Sequence, residues 1–301
     1  MIPAPSSPGS STRLARRWGL RDIRLTTGLI LLAFLTTHFS NHALGLVSVA
    51  AMERGREVFN LLWRNPPGLV LLYGSLLVHY GLALVALYRR ETLRMPAREA
   101  AQLAFGLSLP FLLIPHVAGT RIELMLTGRA VGYPDVLRSL WVVSPENGVR
   151  QVVLLVVAWL HGCLGVSFWL RSKSWFRHSA LPLYTVALLV PLLALLGYAE
   201  AGRDVLADPD RYPLTPVVTD VTAALLDIRT ALYLFFAGTI GAVLLARFIR
   251  AYRERATRIR ITYPGSRVVT VPQGFSVLEA SRTGGIAHQA ACGGRGRCST
   301  C

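Results

Sequence analysis

The stretch Thr26-Thr-Gly-Leu-Ile-Leu-Leu-Ala-Phe-Leu-Thr-Thr-His38-Phe-Ser-Asn-His42-Ala43 decides the architecture of this chain. It fills an apolar run over about residues 25–47 that contains no acidic or basic residue apart from two histidines one helical turn apart. A run of that length crosses the hydrocarbon core of a bilayer as a helix. Five more runs follow, at about 67–88, 101–124, 151–170, 180–199 and 230–247. With 52% hydrophobic and 16% charged residues, the chain is too apolar for a soluble domain and reads as an all-α membrane protein, a six-transmembrane-helix bundle. No secretory signal peptide is evident, because the first apolar run is long enough to stay in the membrane.

The net charge of +16 invites a nucleic-acid reading, and its placement argues against one. Arginines gather at Arg13–Arg24, Arg89–Arg98, Arg171–Arg177 and Arg247–Arg260, whereas Glu53, Glu57, Asp135, Glu146, Glu200, Asp204, Asp208, Asp210, Asp220 and Asp227 fall in the alternate loops. Short basic loops stay in the cytoplasm during insertion, so both ends of the chain are expected there. The basic ends also suit anionic lipid headgroups, the expected membrane partner. The segments divide as a basic tail over 1–24, a membrane anchor over 25–250 and a soluble segment over 256–301.

Five of seven histidines lie within spans or at their ends: His38, His42, His79, His116 and His161. Ionisable residues inside a membrane are costly and mark function. One alone is more often a hydrogen-bonded packing residue than a ligand; four on four successive spans are a different matter. At 1.5 Å per residue, His79 and His161 lie roughly 13 and 15 Å from the cytoplasmic face, and His38 and His116 roughly 20 and 22 Å. The imidazoles therefore sort into two levels, the second span with the fourth and the first with the third. Opposed imidazoles at one depth are the geometry of a six-coordinate b-type haem. His42 is the alternative to His38 at the outer level. Gly74, Ser75, Gly81 and Gly162 flank the histidines and would open room between helices. Arg24, Arg89, Arg90 and Arg171 are candidates to meet haem propionates. Near the outer end of the third span, Arg121 and Glu123 are placed to pair with each other or with a ligand. Cys163, inside the fourth span, reads as a packing residue.

The tail has its own pattern. Thr257-Arg-Ile-Arg-Ile-Thr-Tyr263 and Arg267-Val-Val-Thr-Val271 read as two strands about a Pro264-Gly265 turn. Ser276 with Glu279 forms a capping box for a short helix that Gly284-Gly285 stops. Then comes Cys292-Gly-Gly-Arg-Gly-Arg-Cys298-Ser-Thr-Cys301. Thiolates spaced C-x5-C-x2-C on a glycine-rich loop are suited to a small iron–sulfur cluster, which needs a fourth ligand beyond these three. Zinc held by the cysteines with His288 is the competing reading, and the strand–turn–strand–helix pattern favours iron–sulfur.

The stretch quoted first, followed by Ala51-Met-Glu53, resembles the first helix of the two-haem cytochrome b membrane subunits of succinate dehydrogenase and fumarate reductase. That resemblance implies two haem b groups, one between His38 and His116 and the other between His79 and His161. Those subunits usually have five helices and no fused cluster domain. With its sixth span and cysteine loop, the chain looks similar over residues 20–301 to the N-terminal part of membrane-anchored bacterial class III adenylate/guanylate cyclases. The resemblance implies a cytochrome b-type anchor, then a β-grasp 2Fe-2S ferredoxin-like segment truncated before its fourth thiolate, with Cys292, Cys298 and Cys301 as ligands. It also implies the bacterial plasma membrane, a quinone or cytosolic electron donor as partner, and a dimeric cyclase domain in a longer parent chain. Two other functions compete: an electron-transfer subunit of a quinone-linked oxidoreductase, and a transporter or structural anchor without haem.

Overall fold

The computed structural model describes residues 19–214, 220–254 and 257–290. Cys292, Cys298 and Cys301, the proposed cluster ligands, lie outside the described residues, as do residues 1–18 of the basic tail. In chain order the helices are α1 (Leu20–Ala43), α2 (Val49–Trp63), α3 (Pro66–Tyr88), α4 (Ala97–Val117), α5 (Glu123–Thr127), α6 (Tyr133–Arg138), α7 (Pro145–Leu170), α8 (Phe176–Ala207) and α9 (Thr222–Glu254). Strands β1 (Arg258–Thr262) and β2 (Val268–Pro272) and helix α10 (Val277–Thr283) follow. Six helical segments are long and apolar enough to cross a membrane: 20–46, 66–88, 97–127, 145–170, 176–207 and 222–254. This is the architecture of a multi-pass membrane protein. The helices overrun the apolar runs because a helix need not end where the hydrocarbon does.

Inside a bilayer no water is present to satisfy a stray polar group, so each one needs a protein partner. Pro191 within α8 has no N–H to give to the carbonyl one turn back, that of Ala187. Trp159 of α7 supplies the missing donor, its indole Nε1 lying 2.7 Å from that oxygen. Around this bond Phe39, Leu155, Trp159 and Ala194 form a buried cluster joining α1, α7 and α8, with Cys163 packed against it. On the other side of the bundle Tyr80 of α3 bonds Thr239 of α9 at 2.7 Å. Helices α1 and α8 cross at glycines: a Cβ on Gly197 would sit 3.0 Å from the Cα of Ala43. Such close backbone approach is how helices pack where lipid gives no hydrophobic push.

Helix α2 lies outside the spans and has no counterpart in the apolar runs. Ser48 caps its start by accepting from the Ala51 N–H at 3.0 Å, and the Asn65-Pro66 step ends it and begins α3, with Asn65 accepting from Gly68 at 2.7 Å. It lays Val49 and Met52 into a core completed by Tyr133 and Leu137 of α6 and by Tyr198, Ala201 and Val205 of α8. Polar bonds brace this cap. Asn41 donates to the Tyr133 hydroxyl at 2.9 Å, and Glu53 accepts from the Tyr133 N–H at 2.9 Å while pairing with Arg56. Burial pushes the Glu53 carboxyl up, yet the bonds from Arg56 and Tyr133 outweigh it and hold the group below its ordinary value. Glu123 pairs with Arg129 at 3.1 Å rather than with Arg121, and Arg129 also reaches Asp135 at 3.1 Å. One positive-φ glycine, Gly128, lets the chain turn between α5 and α6 so that this arginine meets both carboxylates.

At the opposite end of the bundle the last span is fastened to the second. Arg247 of α9, 9% exposed, donates to the carbonyls of Leu87 and Arg90, capping the end of α3, and Arg250 adds a bond to the Arg90 carbonyl at 3.1 Å. The soluble segment beyond is an antiparallel hairpin, with Ile259 opposite Val271, turning through Gly265 at φ 80° and Ser266 at φ 59°. Helix α10 has the Ser276–Glu279 capping box, and its Ser281 bonds Tyr263 at 2.9 Å. Val271 and Leu278 are buried between hairpin and helix.

Two outcomes are expected. Trp159→Phe orphans the Ala187 carbonyl and should lower stability by about 1–2 kcal/mol, read as a shifted melting midpoint in detergent. Because the folded Glu53 is depressed, its contribution is present above the ordinary carboxylate value of 4.5 and lost as pH falls through the folded value. The melting midpoint of the parent chain should therefore fall more steeply on acidification than that of Glu53→Gln.

Candidate functional site: two imidazole pairs in the bundle

The structure brings the histidines together in two pairs at two levels. The rings of His79 on α3 and His161 on α7 have centroids 6.3 Å apart at 88° to one another. Those of His38 on α1 and His116 on α4 are 5.9 Å apart at 64°. A metal ion held at about 2 Å by one nitrogen of each of two opposed imidazoles sets their centroids about 6 Å apart. Both spacings suit such an ion.

The inner pair is oriented by the main chain. The Nδ1 of His79 lies 3.2 Å from the carbonyl oxygen of Arg24 and 3.3 Å from Thr27 Oγ1. The Nδ1 of His161 lies 3.1 Å from the carbonyl oxygen of Gln102. A carbonyl only accepts, so in each ring Nδ1 carries the proton and Nε2 keeps its lone pair for a ligand. An outer partner of this kind is what fixes the tautomer and tilt of a metal-binding histidine. One turn further along each helix stands a glycine against the same ring. A Cβ on Gly28 would lie 3.1 Å from His79 Cε1, and one on Gly106 would lie 2.8 Å from His161 Cε1. The inner site thus has two matching halves: carbonyl 24 with Gly28 for His79, carbonyl 102 with Gly106 for His161.

The small residues expected to make room lie elsewhere. Gly74 and Gly81 flank His79 on its own helix but face open space, and Gly162 faces Leu32. The glycines that meet the rings belong to the helices opposite, each four residues after the carbonyl that accepts from the ring, and no residue type in the sequence marks that acceptor.

The outer pair sits in an irregular stretch. Pro110 and Pro115 interrupt α4, and directly after His116 the helix passes into a π turn at Ala118–Ile122. Single π turns inside helices are frequent at functional sites. Phe34 stacks on His38 at 5.6 Å. His42 lies 4.8 Å from His38 but leans toward the outer cap, 5.7 Å from Tyr133 and 6.3 Å from Tyr198. It is 6% exposed, and its Nδ1 is buried without a hydrogen-bond partner. The ring in contact with that of His116 is His38, and His42 packs against His38 and the outer cap.

Of the arginines read as propionate partners, Arg90 is engaged by Glu99 at 2.5 Å, and Arg171 lies over the Phe168 ring at 4.8 Å with its Nε buried and unpartnered. Arg21, one turn before Arg24 on α1, also buries an unpartnered Nη2. Unsatisfied guanidinium nitrogens on Arg21 and Arg171, and on Arg250 at the same basic end, suit an anionic group. His288 bonds Ser281 at 3.2 Å in the soluble segment. Among the described residues no cluster of three or more His, Cys, Asp or Glu has the geometry of a metal site. Beside the outer cap, a cleft of about 430 Å³ opens between α7 and α8, with an apolar lining that includes the packed rings of Trp141 and Tyr198.

If Gly106 is the fitted wall behind His161, Gly106→Val should displace that ring and cost about 1–3 kcal/mol in stability, whereas Gly81→Val, facing open space, should cost little in a melting assay. No protein-family model, no curated protein and no solved structure matches this chain.

Proposed function

We propose that this chain is a membrane electron-transfer module that holds two b-type haems in its bundle, the inner one between His79 and His161 and the outer one between His38 and His116. The observation that carries the reading is the inner pair: two imidazoles at a metal-bridging separation, each with Nδ1 committed to a main-chain carbonyl and Nε2 left for a ligand. Haem held by the two imidazoles of each pair would supply one-electron exchange. The protein's part is to fix the rings, exclude water through the apolar bundle, and offer Arg21 and Arg171 to the anionic propionates. The resemblance to the cyclase anchors supports a 2Fe-2S cluster on Cys292, Cys298 and Cys301 with a fourth thiolate from beyond this chain. It also supports a bacterial plasma-membrane location with cytoplasmic ends. On this reading the module senses redox state for a class III nucleotide cyclase domain in a longer parent chain.

A second reading, an electron-transfer subunit of a quinone-linked oxidoreductase, is favoured by the apolar cleft. Its apolar lining includes Tyr198, which neighbours His42 and so the outer pair.

The purified chain should be red, with a dithionite-reduced spectrum and pyridine haemochrome count of two b haems per chain. His79→Ala or His161→Ala should remove one haem and leave the other. A colourless protein, or loss of both haems from either variant with the fold intact, would refute the assignment.

A further inference from the structure

We propose that Glu99 is a latch that docks the soluble tail on the end of the bundle and links its position to the inner imidazole pair. Glu99 sits in the first turn of α4, and its side chain is only 5% exposed although it carries a carboxylate. Burial of such a group is tolerated only when it is paired. Its two oxygens are divided between two elements. Oε2 accepts from Arg90, just past the end of α3, at 2.5 Å. Oε1 accepts from Arg282 of α10 at 3.5 Å. A second tie lies alongside, from Arg94 Nη1 to the carbonyl of Thr283 at 3.4 Å.

The tail end of this latch is stiff. The capping box, the Ser281–Tyr263 bond and the burial of Leu278 and Val271 make α10 and the hairpin one unit, so holding Arg282 holds all of it. The bundle end is stiff as well. Gln102 follows Glu99 by one turn on α4, and its carbonyl is the one that orients His161. Arg90 lies beside the α3 terminus that Arg247 and Arg250 cap. His79 rides on α3 and His161 is aimed by the Gln102 carbonyl of α4, so a change at the inner pair that moves α3 against α4 would move Arg90 relative to Glu99 and alter the grip on Arg282. The docking contact stands on its own geometry; its link to redox state rests on the haem reading above.

The test is hydrogen–deuterium exchange of residues 277–283 in the purified full chain in detergent. Glu99→Gln and Arg282→Gln should each speed exchange there by about fivefold or more. Arg282→Gln changes only the tail and carries the test if Glu99→Gln fails to fold. Unchanged exchange in a folded Arg282→Gln protein would overturn the latch. In the parent chain loaded with haem, dithionite reduction should change exchange over 277–283, and Arg282→Gln should abolish that change. A haem-loaded parent chain whose tail exchanges identically in both redox states would overturn the link while leaving the haem assignment untouched. A colourless chain would remove the haem reading, and the comparison of variants would still decide the docking.

Discussion

A polar group buried in hydrocarbon must find its partner inside the protein, and this cost shapes nearly every crossing in the bundle. The imidazole of His79 reaches across to α1 for a carbonyl, and that of His161 reaches across to α4. The indole of Trp159 answers the carbonyl that Pro191 leaves free on α8. The hydroxyls of Tyr80 and Thr239 answer each other. Each is a hydrogen bond between two spans, so satisfying the polar group and setting the helix register are one event. Lipid supplies little drive to bring apolar helices together, which gives such bonds and the glycine crossings more weight than they would have in water.

The molecule is uneven in how it is held. Among the most completely buried side chains, Val49, Met52, Leu137 and Val205 lie in the outer cap, and Val271 and Ser281 lie in the segment after α9. There α2 and α6 close over α1 and α8, and the charge pairs of Glu53 with Arg56 and of Arg129 with two carboxylates sit at the rim. The last span is different. It touches α3 and α4 along one side and leaves large apolar residues such as Leu234, Phe235, Leu245 and Phe248 outward. It is held by the Tyr80–Thr239 bond along its length and by two arginines that grip the end of α3 at its basic end.

Much of this was legible in the residues. Six apolar runs of span length are six helices, and a capping box at Ser276 with paired glycines at 284 and 285 marks α10. The sorting of four imidazoles into two levels needs only the rise of a helix, and the ring contacts have the same two sets of partners. Helix α2 was not read, because Glu53, Arg54, Arg56 and Glu57 dilute its apolar face below the level of a span, although Ser48 and Asn65-Pro66 bracket it. The glycines at the imidazoles escaped for a different reason. Closeness to a histidine along one chain says nothing about which residue faces it from the neighbouring helix, and Gly28 and Gly106 are 51 and 55 positions away in sequence from the rings they meet. Whether Arg121 and Glu123 meet each other is open in the sequence; Glu123 pairs with Arg129, since residues two apart on a helix point to different sides.

The nearest acceptors behind His79 and His161 are peptide oxygens, with the Thr27 hydroxyl a second neighbour of His79. An outer partner built from backbone leaves no trace in residue identity and is immune to point substitution at Arg24 or Gln102. It also polarises the ring less than an anionic carboxylate would, so whatever the free nitrogens bind meets a comparatively weak electron donor. A survey of single replacements across this region would thus register the rings and the glycines, and stay silent about the two oxygens that aim them.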